Sequence, residues 1–429
     1  MRTGTHAATG ARSVLQLVSH RVQAVSLGSE TRYDGGTLAV SEQDVRGAFA
    51  DDALVQVRAS WVSPGDSARV VKLLDTVEPR TKARGGGGVF PGFLGPAKAQ
   101  GRGETHVVRG VAVMAAGYLP RAQEAVLDMS GPGALLSPFG GTHNLVVEFA
   151  QAPGAPWERV DVAVRRGLLE LARLLADATL GAPPDDQETV DGLGSEVSGA
   201  LPRIGAITNL QTQGTFKDVF VYGRSFAGAL PTFIDPNELD DGAVVSGQFG
   251  HPALKNPTYL YQNHPVVREL RARHGRELQF AGLVLAPEPV EAAQKELVAA
   301  HAARLCATAR LDGVVVTKEG GGNADADISL KIDALADLGI PAVGLFAEMS
   351  GAEGTAPPVV VPPERGTDMI STGNYDEIVR LPAVARALGG SRVDVAGAAA
   401  DAALEVPTAV LYAALSPIGA GRLRCEEVG

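Results

Sequence analysis

Apolar and polar positions alternate with two different periods along this chain, and the change of period divides it. From residue 21 to about 150 the period is two. "RVQAVSLGSETRYDGGTLAV" places two alternating runs around Asp-Gly-Gly, which predicts a hairpin. "ARVVKLLDTVEPR", "THVVRGVAVMAAGYL" and "THNLVVEFA" continue as strands with Gly and Pro between them. "RGGGGVFPGF" (84–93) is a loop without a following Lys-Ser/Thr helix start, and reads as a tight β crossover rather than a phosphate cradle. In 159–179, Val164, Leu168, Leu171 and Leu175 recur at helical spacing and predict an amphipathic helix. "DDQETVDGLGSE" reads as a polar linker. "RIGAITNLQTQG" reads as a buried strand running into a polar loop, and "DVFVYG" as a further strand.

From 278 onward strands and helices alternate. "LQFAGLVLA", "DGVVVT" and "PAVGLFA" are strands; "PVEAAQKELVAAHAARLCATA" and "DADISLKIDALADLG" are helices. Pro289 lies near the first turn of the first helix, where its missing N–H costs nothing, and Gly339 ends the second helix. "DMIST" and "EIVRLP" follow as strands, and the Ala-rich 391–429 reads as helix. The expected fold class is α/β: a strand-rich N-terminal region followed by a doubly wound, mostly parallel sheet domain. The expected division is an extension (1–20), a β-rich domain (21–150), an α/β domain (151–390) and a C-terminal tail (391–429).

Ligands of such sheets gather at the carboxyl ends of the strands. That rule marks "LQTQG" with Gln211 and Gln213, "KEGGGNAD" with Glu319 and Asn323, "EMSGAEG" with Glu348, and "TGNYDE" with Asn374. In the glycine-rich loop two readings compete. One is an anion site at a helix N-terminus. The other is capping of the helix by Asn323 or Asp325. A divalent metal on Asp325 and Asp327 is disfavoured, because i and i+2 positions of a helix diverge, and no metal is expected. A second loop, "VVSGQFGHPALKNPTY" (244–259), brings backbone close to something with Gly247 and Gly250. It carries Ser246, Gln248, Phe249 and His251.

Composition narrows the function. The chain has 429 residues, 45% hydrophobic and 20% charged, with a net charge of −11. Nucleic-acid binding is not expected, since phosphate contacts require clustered Lys and Arg. The two cysteines, Cys306 and Cys425, form neither a disulfide framework nor a Cys-x-x-Cys pair, and Cys306 reads as a small hydrophobe. No apolar run approaches the about 18 residues of a membrane span. These features point to the cytoplasm. The eight histidines show no metal-ligand spacing.

"TVEPR", "GVFPGF", "THVVRGVAV", "LDMSG", "NLVVEF", "LQTQG", "DVFVYG", "PTFIDPNELDDGAVVSG", "KNPTY", "RHGRELQFAGLVLA", "LDGVVVTKEGGGNADAD" and "TGNYDE" occur in this order over roughly residues 21–390. Together they resemble the precursor of component B of glycine, sarcosine and betaine reductases. The resemblance implies an oxidoreductase-complex subunit acting with a partner that carries Cys or selenocysteine on a small amino-acid or amine-type substrate. In that family the counterpart of the second loop reads Ser-Gly-Asn-Cys, with another Cys four residues on. The chain breaks before the first Cys, which becomes a pyruvoyl group. Aligned on Ser246 and Gly247, this chain has Gln248 for Asn, Phe249 for the first Cys and Ala253 for the second. Phenylalanine has no heteroatom with which to attack a carbonyl or eliminate to a ketone, so no pyruvoyl group and no other cofactor is expected. Ser246 is the residual candidate for that chemistry. The Pro-rich "AEGTAPPVVVPPERG" also departs from the family's Arg-Asp-Gly and Ser-Gln-Ser-Leu run. The expected function is an unprocessed, hetero-oligomeric subunit whose pocket is shaped by Gln248, Phe249, His251, Gln211, Gln213, Glu319, Asn323, Glu348 and Asn374. The alternative is a non-catalytic scaffold or regulatory subunit.

Overall fold

The computed structural model describes residues 14–120, 122–192, 200–213, 219–247, 249–366 and 368–420. The front of the chain folds into strands as its period of two predicts. One sheet holds Asp186–Asp191, Val14–Arg21, Gly103–Arg109 and Arg80–Arg84, in that spatial order. A second holds Leu54–Val62, His143–Gln151, Val111–Ala116 and Leu73–Val77. The Asp-Gly-Gly hairpin forms, with Arg32–Asp34 antiparallel to Thr37–Ser41. The helix Trp157–Asp177 buries Val164, Leu168, Leu171 and Leu175 against Val77, Val111, Val113 and Val147.

Three expectations fail here. The "polar linker" contains an edge strand, Asp186–Asp191, antiparallel to Val14–Ser19. Only Val190 of it is buried, so backbone pairing rather than side-chain pattern makes the strand. The 84–93 loop is no crossover, because the strands it joins, Arg80–Arg84 and Gly103–Arg109, are antiparallel neighbours. The tail holds no α-helix as far as it is described, only the single 3-10 turn Thr408–Val410. Arg392–Val393 pairs with Ala398–Ala399, and Leu404–Pro407 pairs with Ile378–Leu381. Gly397 and Pro407 interrupt the alanines. Leu404, Val406, Val410 and Leu411 are drawn into a core with Val71 and Val126.

The back of the chain is a six-stranded sheet ordered Thr232–Ile234, Gln279–Glu288, Arg203–Gln211, Gly313–Thr317, Ala342–Glu348, Met369–Asn374. All neighbours are parallel except the first edge strand. Ala206, Leu210, Leu283 and Leu285 pack with Val267 and Leu270 of the helix Pro265–Arg273. Ile207, Val284, Ala286, Val314 and Val316 pack with Val298, Ala302 and Cys306 of Ala292–Thr308 and Ile328 and Ile332 of Asn323–Asp337. The first of these two helices starts at Ala292, with Pro289 two residues before its cap Glu291. Gly339, at φ +71°, does end the second. Among the described residues no helix is long and apolar enough to cross a membrane.

Candidate functional site

The register of the three central strands decides where the chemistry gathers. Gln211 lies opposite Glu288, and Thr208 opposite Thr317. The strands therefore end at one level and deliver Gln211, Glu288, Lys318 and Glu319 to a single edge. The loop after Val245 closes over that edge. The Glu319 carboxylate accepts from the N–H of Asn256 (2.9 Å), the Tyr261 hydroxyl (2.8 Å) and the N–H of Gln211 (3.4 Å). Asn256 also donates from Nδ2 to the Lys318 carbonyl at 3.2 Å. Burial pushes the Glu319 carboxyl up to about 7, although these donors and Lys255 pull it down. Gly320 takes φ +73°, and a Cβ there would lie 2.7 Å from the Gln211 amide. This glycine is required by both its backbone angle and its neighbour.

The closing loop is itself buried. Ser246 donates its N–H to Thr258 Oγ1 (2.9 Å), and its carbonyl accepts from Arg165 (3.1 Å). Its fully buried Oγ has no partner among the described residues. Gln248 lies outside the described residues. Phe249 is 5% exposed. Its ring carries the Lys255 ammonium 4.7 Å from the centroid and the Arg165 guanidinium at 5.8 Å. The Phe249 carbonyl accepts from Gln123 N–H, and the N–H of His251 donates to Gln123 Oε1. His251 has left-handed φ (+46°), and its Nδ1 is 3.3 Å from the Tyr375 hydroxyl. Burial, then the charge of Lys318, pushes its imidazole below the ordinary range, so the ring is neutral at pH 7. Lys255 is buried, which brings its amine down to about 8 against the pull of Asp75 and Glu319. Asp75 accepts from the N–H and the hydroxyl of Thr258 at 3.0 and 2.6 Å.

Beneath this edge is a second layer of charge. Glu288 accepts from the Glu319 N–H at 3.3 Å. Lys318 pairs with Asp325, Lys295 pairs with Asp327, and Lys331 lies 3.8 Å from Asp327. The carboxyls of Glu288, Glu319, Asp325 and Asp327 and the ammoniums of Lys295, Lys318 and Lys331 are all buried. Burial, then Asp327, pushes Glu288 well above the usual carboxylate range, against the pull of Lys331 and Lys318. Glu288 Oε2, Gln211 Oε1 and both amide atoms of Asn209 have no partner among the described residues.

These pairs overturn the capping expectation. Gly322 caps the helix Asn323–Asp337 without a side-chain bond. Asn323 is exposed. Asp325 turns inward to Lys318 and accepts from the N–H of Val360 at 3.1 Å.

Ser246, Phe249, His251, Gln211 and Glu319 thus come together. Gln213 is buried just beyond the strand end. Glu348 and Asn374 lie opposite each other on the two outer strands. Glu348 accepts from Ser350, and Asn374 donates to the Gly351 carbonyl at 2.8 Å. Both tie the outer loops together, and Tyr375 links them to His251. Sequence reasoning missed Asp75, Arg165, Lys255, Asn256, Tyr261, Glu288 and the three lysines beneath. A signal existed for Asp75, Glu288 and Lys318: a charge in or at the end of an apolar strand run, in "VVKLLDTV", "LVLAPE" and "GVVVTK".

A strand-end acid above a buried charge layer, closed by a glycine-bearing loop, defines an α/β protein with buried ionisable groups gathered at the sheet edge. The chain belongs to the glycine/sarcosine/betaine reductase component B subunit family, whose pattern matches residues 14–416. Over 417 residues it is 32% identical to the glycine reductase complex component B subunits alpha and beta of Peptoclostridium acidaminophilum, covering 94% of this chain and 97% of that one. It is 32% identical over 380 residues to the sarcosine reductase complex component B subunit alpha of the same organism, covering 87% and 89%. The D-proline reductase proprotein of Acetoanaerobium sticklandii is 24% identical over 366 residues, covering 79% of this chain and 55% of that protein. No solved structure matches.

Proposed function

We propose that this chain is the component B-type subunit of a glycine/sarcosine/betaine reductase-like complex, and that it works unprocessed, without a pyruvoyl group. Phe249 carries the proposal. At the position where the family resemblance puts the processed Cys stands a benzyl side chain, buried and packed beneath Lys255. It offers no nucleophile to attack the preceding carbonyl and no leaving group for elimination. A pyruvoyl residue does not fit this loop. The loop, Gln211 and Glu319 then shape the pocket for a small amine-type substrate, and a partner subunit supplies the thiol or selenol for reductive C–N or related bond cleavage.

The test is the intact mass of the denatured chain, with and without hydroxylamine. The expected result is one species near 44.3 kDa with no adduct. Two fragments parting near residues 245–249, the later one gaining an adduct, would overturn it and give Ser246 the maturation chemistry. In the reconstituted complex, Phe249→Ala is expected to change turnover; unchanged turnover removes Phe249 from the pocket.

A further inference from the structure

Two buried imidazoles in the front half take no part in the function proposed above. His20 is fully buried on the strand Val14–Arg21, and His106 is 8% exposed on the strand Gly103–Arg109. These strands pair in parallel, with Val18 opposite His106 and His20 opposite Val108. The two rings therefore share a face of the sheet, and His20 Nε2 lies 2.9 Å from His106 Nδ1. His106 Nε2 lies 3.3 Å from Glu104, which pairs with Arg84 of the strand Arg80–Arg84. Thr81 of that strand, opposite His106, donates to Asp177 of the helix Trp157–Asp177, which Arg173 holds. On the His20 side the Tyr33 ring packs edge-on, and the Tyr33 hydroxyl donates to Asp185 at 3.5 Å. Asp185 also accepts from the N–H of Arg21 at 2.7 Å.

These contacts fix where the hydrogens sit. A carboxylate only accepts, so His106 Nε2 carries its hydrogen and donates to Glu104. A neutral imidazole has one N–H, so His106 Nδ1 is bare and accepts from His20 Nε2–H. His20 Nδ1 is then bare as well, and it is buried without a partner among the described residues. A proton added there creates a buried cation. A second proton, on His106 Nδ1, sets N–H against N–H at the contact between the rings.

The strand that this pair secures also ties the front sheet to the back of the protein. Asp186–Asp191 runs antiparallel to Val14–Ser19. The Val190 carbonyl accepts from Asn237 Nδ2 at 3.1 Å, and Asn237 Oδ1 accepts from Arg271 of the helix Pro265–Arg273 at 2.7 Å. We propose that His20 and His106 form an acid-sensitive latch, whose protonation parts the strands Val14–Arg21 and Gly103–Arg109 and loosens the strap Asp186–Asp191 from the helix Pro265–Arg273. Burial, then His106, pushes the His20 imidazole below the ordinary range, against the pull of Asp185 and the Pro183 carbonyl. The unfolded ring thus takes a proton more readily than the folded one. The latch is at full strength above about pH 6.5 and weakens as pH falls below it.

The full chain, with its histidine rings labelled with a nitrogen isotope, is taken from about pH 7.5 to about pH 5.5, the range in which imidazoles titrate. At the upper end, ring spectra are expected to show the Nε2–H tautomer for both His20 and His106. A His20 ring that carries its hydrogen on Nδ1 overturns the relay. Hydrogen exchange, corrected for the intrinsic effect of pH, should show residues 14–21 and 186–191 losing protection at the acid end, while the six-stranded back sheet keeps its own. His20→Gln is expected to abolish that acid response. His106→Gln, which keeps an acceptor for His20 and removes the second cation, should reduce it. Protection that is indifferent to pH in the natural chain overturns the latch. An acid response that persists unchanged in both variants assigns the trigger to another group and overturns it equally.

Discussion

Two regions of this protein bury charge, and they do so in opposite ways. In the front half, arginines are fully used. Arg69 makes five hydrogen bonds: two to Asp128 and three to the carbonyls of Pro382, Ala400 and Ala402. Arg80 bonds Glu78, Asp240, Gln262 and Asn263. Burial alone would raise Glu78, yet the guanidiniums of Arg109 and Arg80 hold it down at about 2. At the back sheet edge the cations are lysines, and burial wins: Glu288, Glu319 and Asp327 rise, and Lys331 and Lys255 fall. The cation explains the contrast better than the location. In the front half the pair Lys82–Asp241 behaves like the back, with burial raising Asp241. A guanidinium spreads five donors over fixed acceptors, whereas an ammonium is a point charge whose proton can leave. The arginine sites hold the fold with fixed donors, and at the lysine sites burial pushes carboxyl and ammonium alike toward their neutral forms.

The largest expected effect breaks the first half of that contrast. Arg69→Ala leaves Asp128 buried without its ion partner and removes three ties to the segment 382–402, whose strand Arg386–Leu388 keeps its ladder to Ala68–Val70. A loss of about 3–5 kcal/mol is expected in urea melts, with early proteolysis of that segment. Lys295→Met should cost less, because Asp327 keeps Lys331 and can take up a proton. Equal losses in the two variants would dissolve the distinction.

What was legible in the sequence follows the same line. Periodicity marked the helix Trp157–Asp177 and the β-α-β order after 278, because one apolar face per element decides those. The strand-end rule found Gln211 and Glu319. It could not find Lys295, which meets Asp327 from a different helix, or Asp75, which meets Thr258 across 183 positions. Such pairs exist only once the register is set. The edge strand Asp186–Asp191 was missed because its side chains are nearly all exposed, and the tail because alanine propensity yields to glycine, proline and burial.

Replacing Glu319 by Gln sharpens the second half. A carboxyl raised to about 7 from 4.5 binds its proton more tightly when folded. Its cost to stability is absent below pH 4.5, grows as pH rises, and is complete above 7. The variant has no such cost. It should therefore gain on the natural chain by about 3 kcal/mol between pH 4.5 and pH 8. A difference that stays flat with pH would mean that Glu319 ionises at its ordinary pKa and stores no proton.

The smallest effect asks whether the lysine-rich edge needs its close backbone approach. Gly320 and Gly322 both have positive φ, +73° and +69°, but only at Gly320 would a Cβ meet a neighbour, the Gln211 amide. Gly322→Ala bears backbone strain alone, about 1 kcal/mol. Gly320→Ala adds displacement of the buried Gln211 side-chain amide, and should cost about 1 kcal/mol more. Equal melts for the two variants would show that Gln211 moves aside freely, and that the edge tolerates the loosening the arginine sites do not.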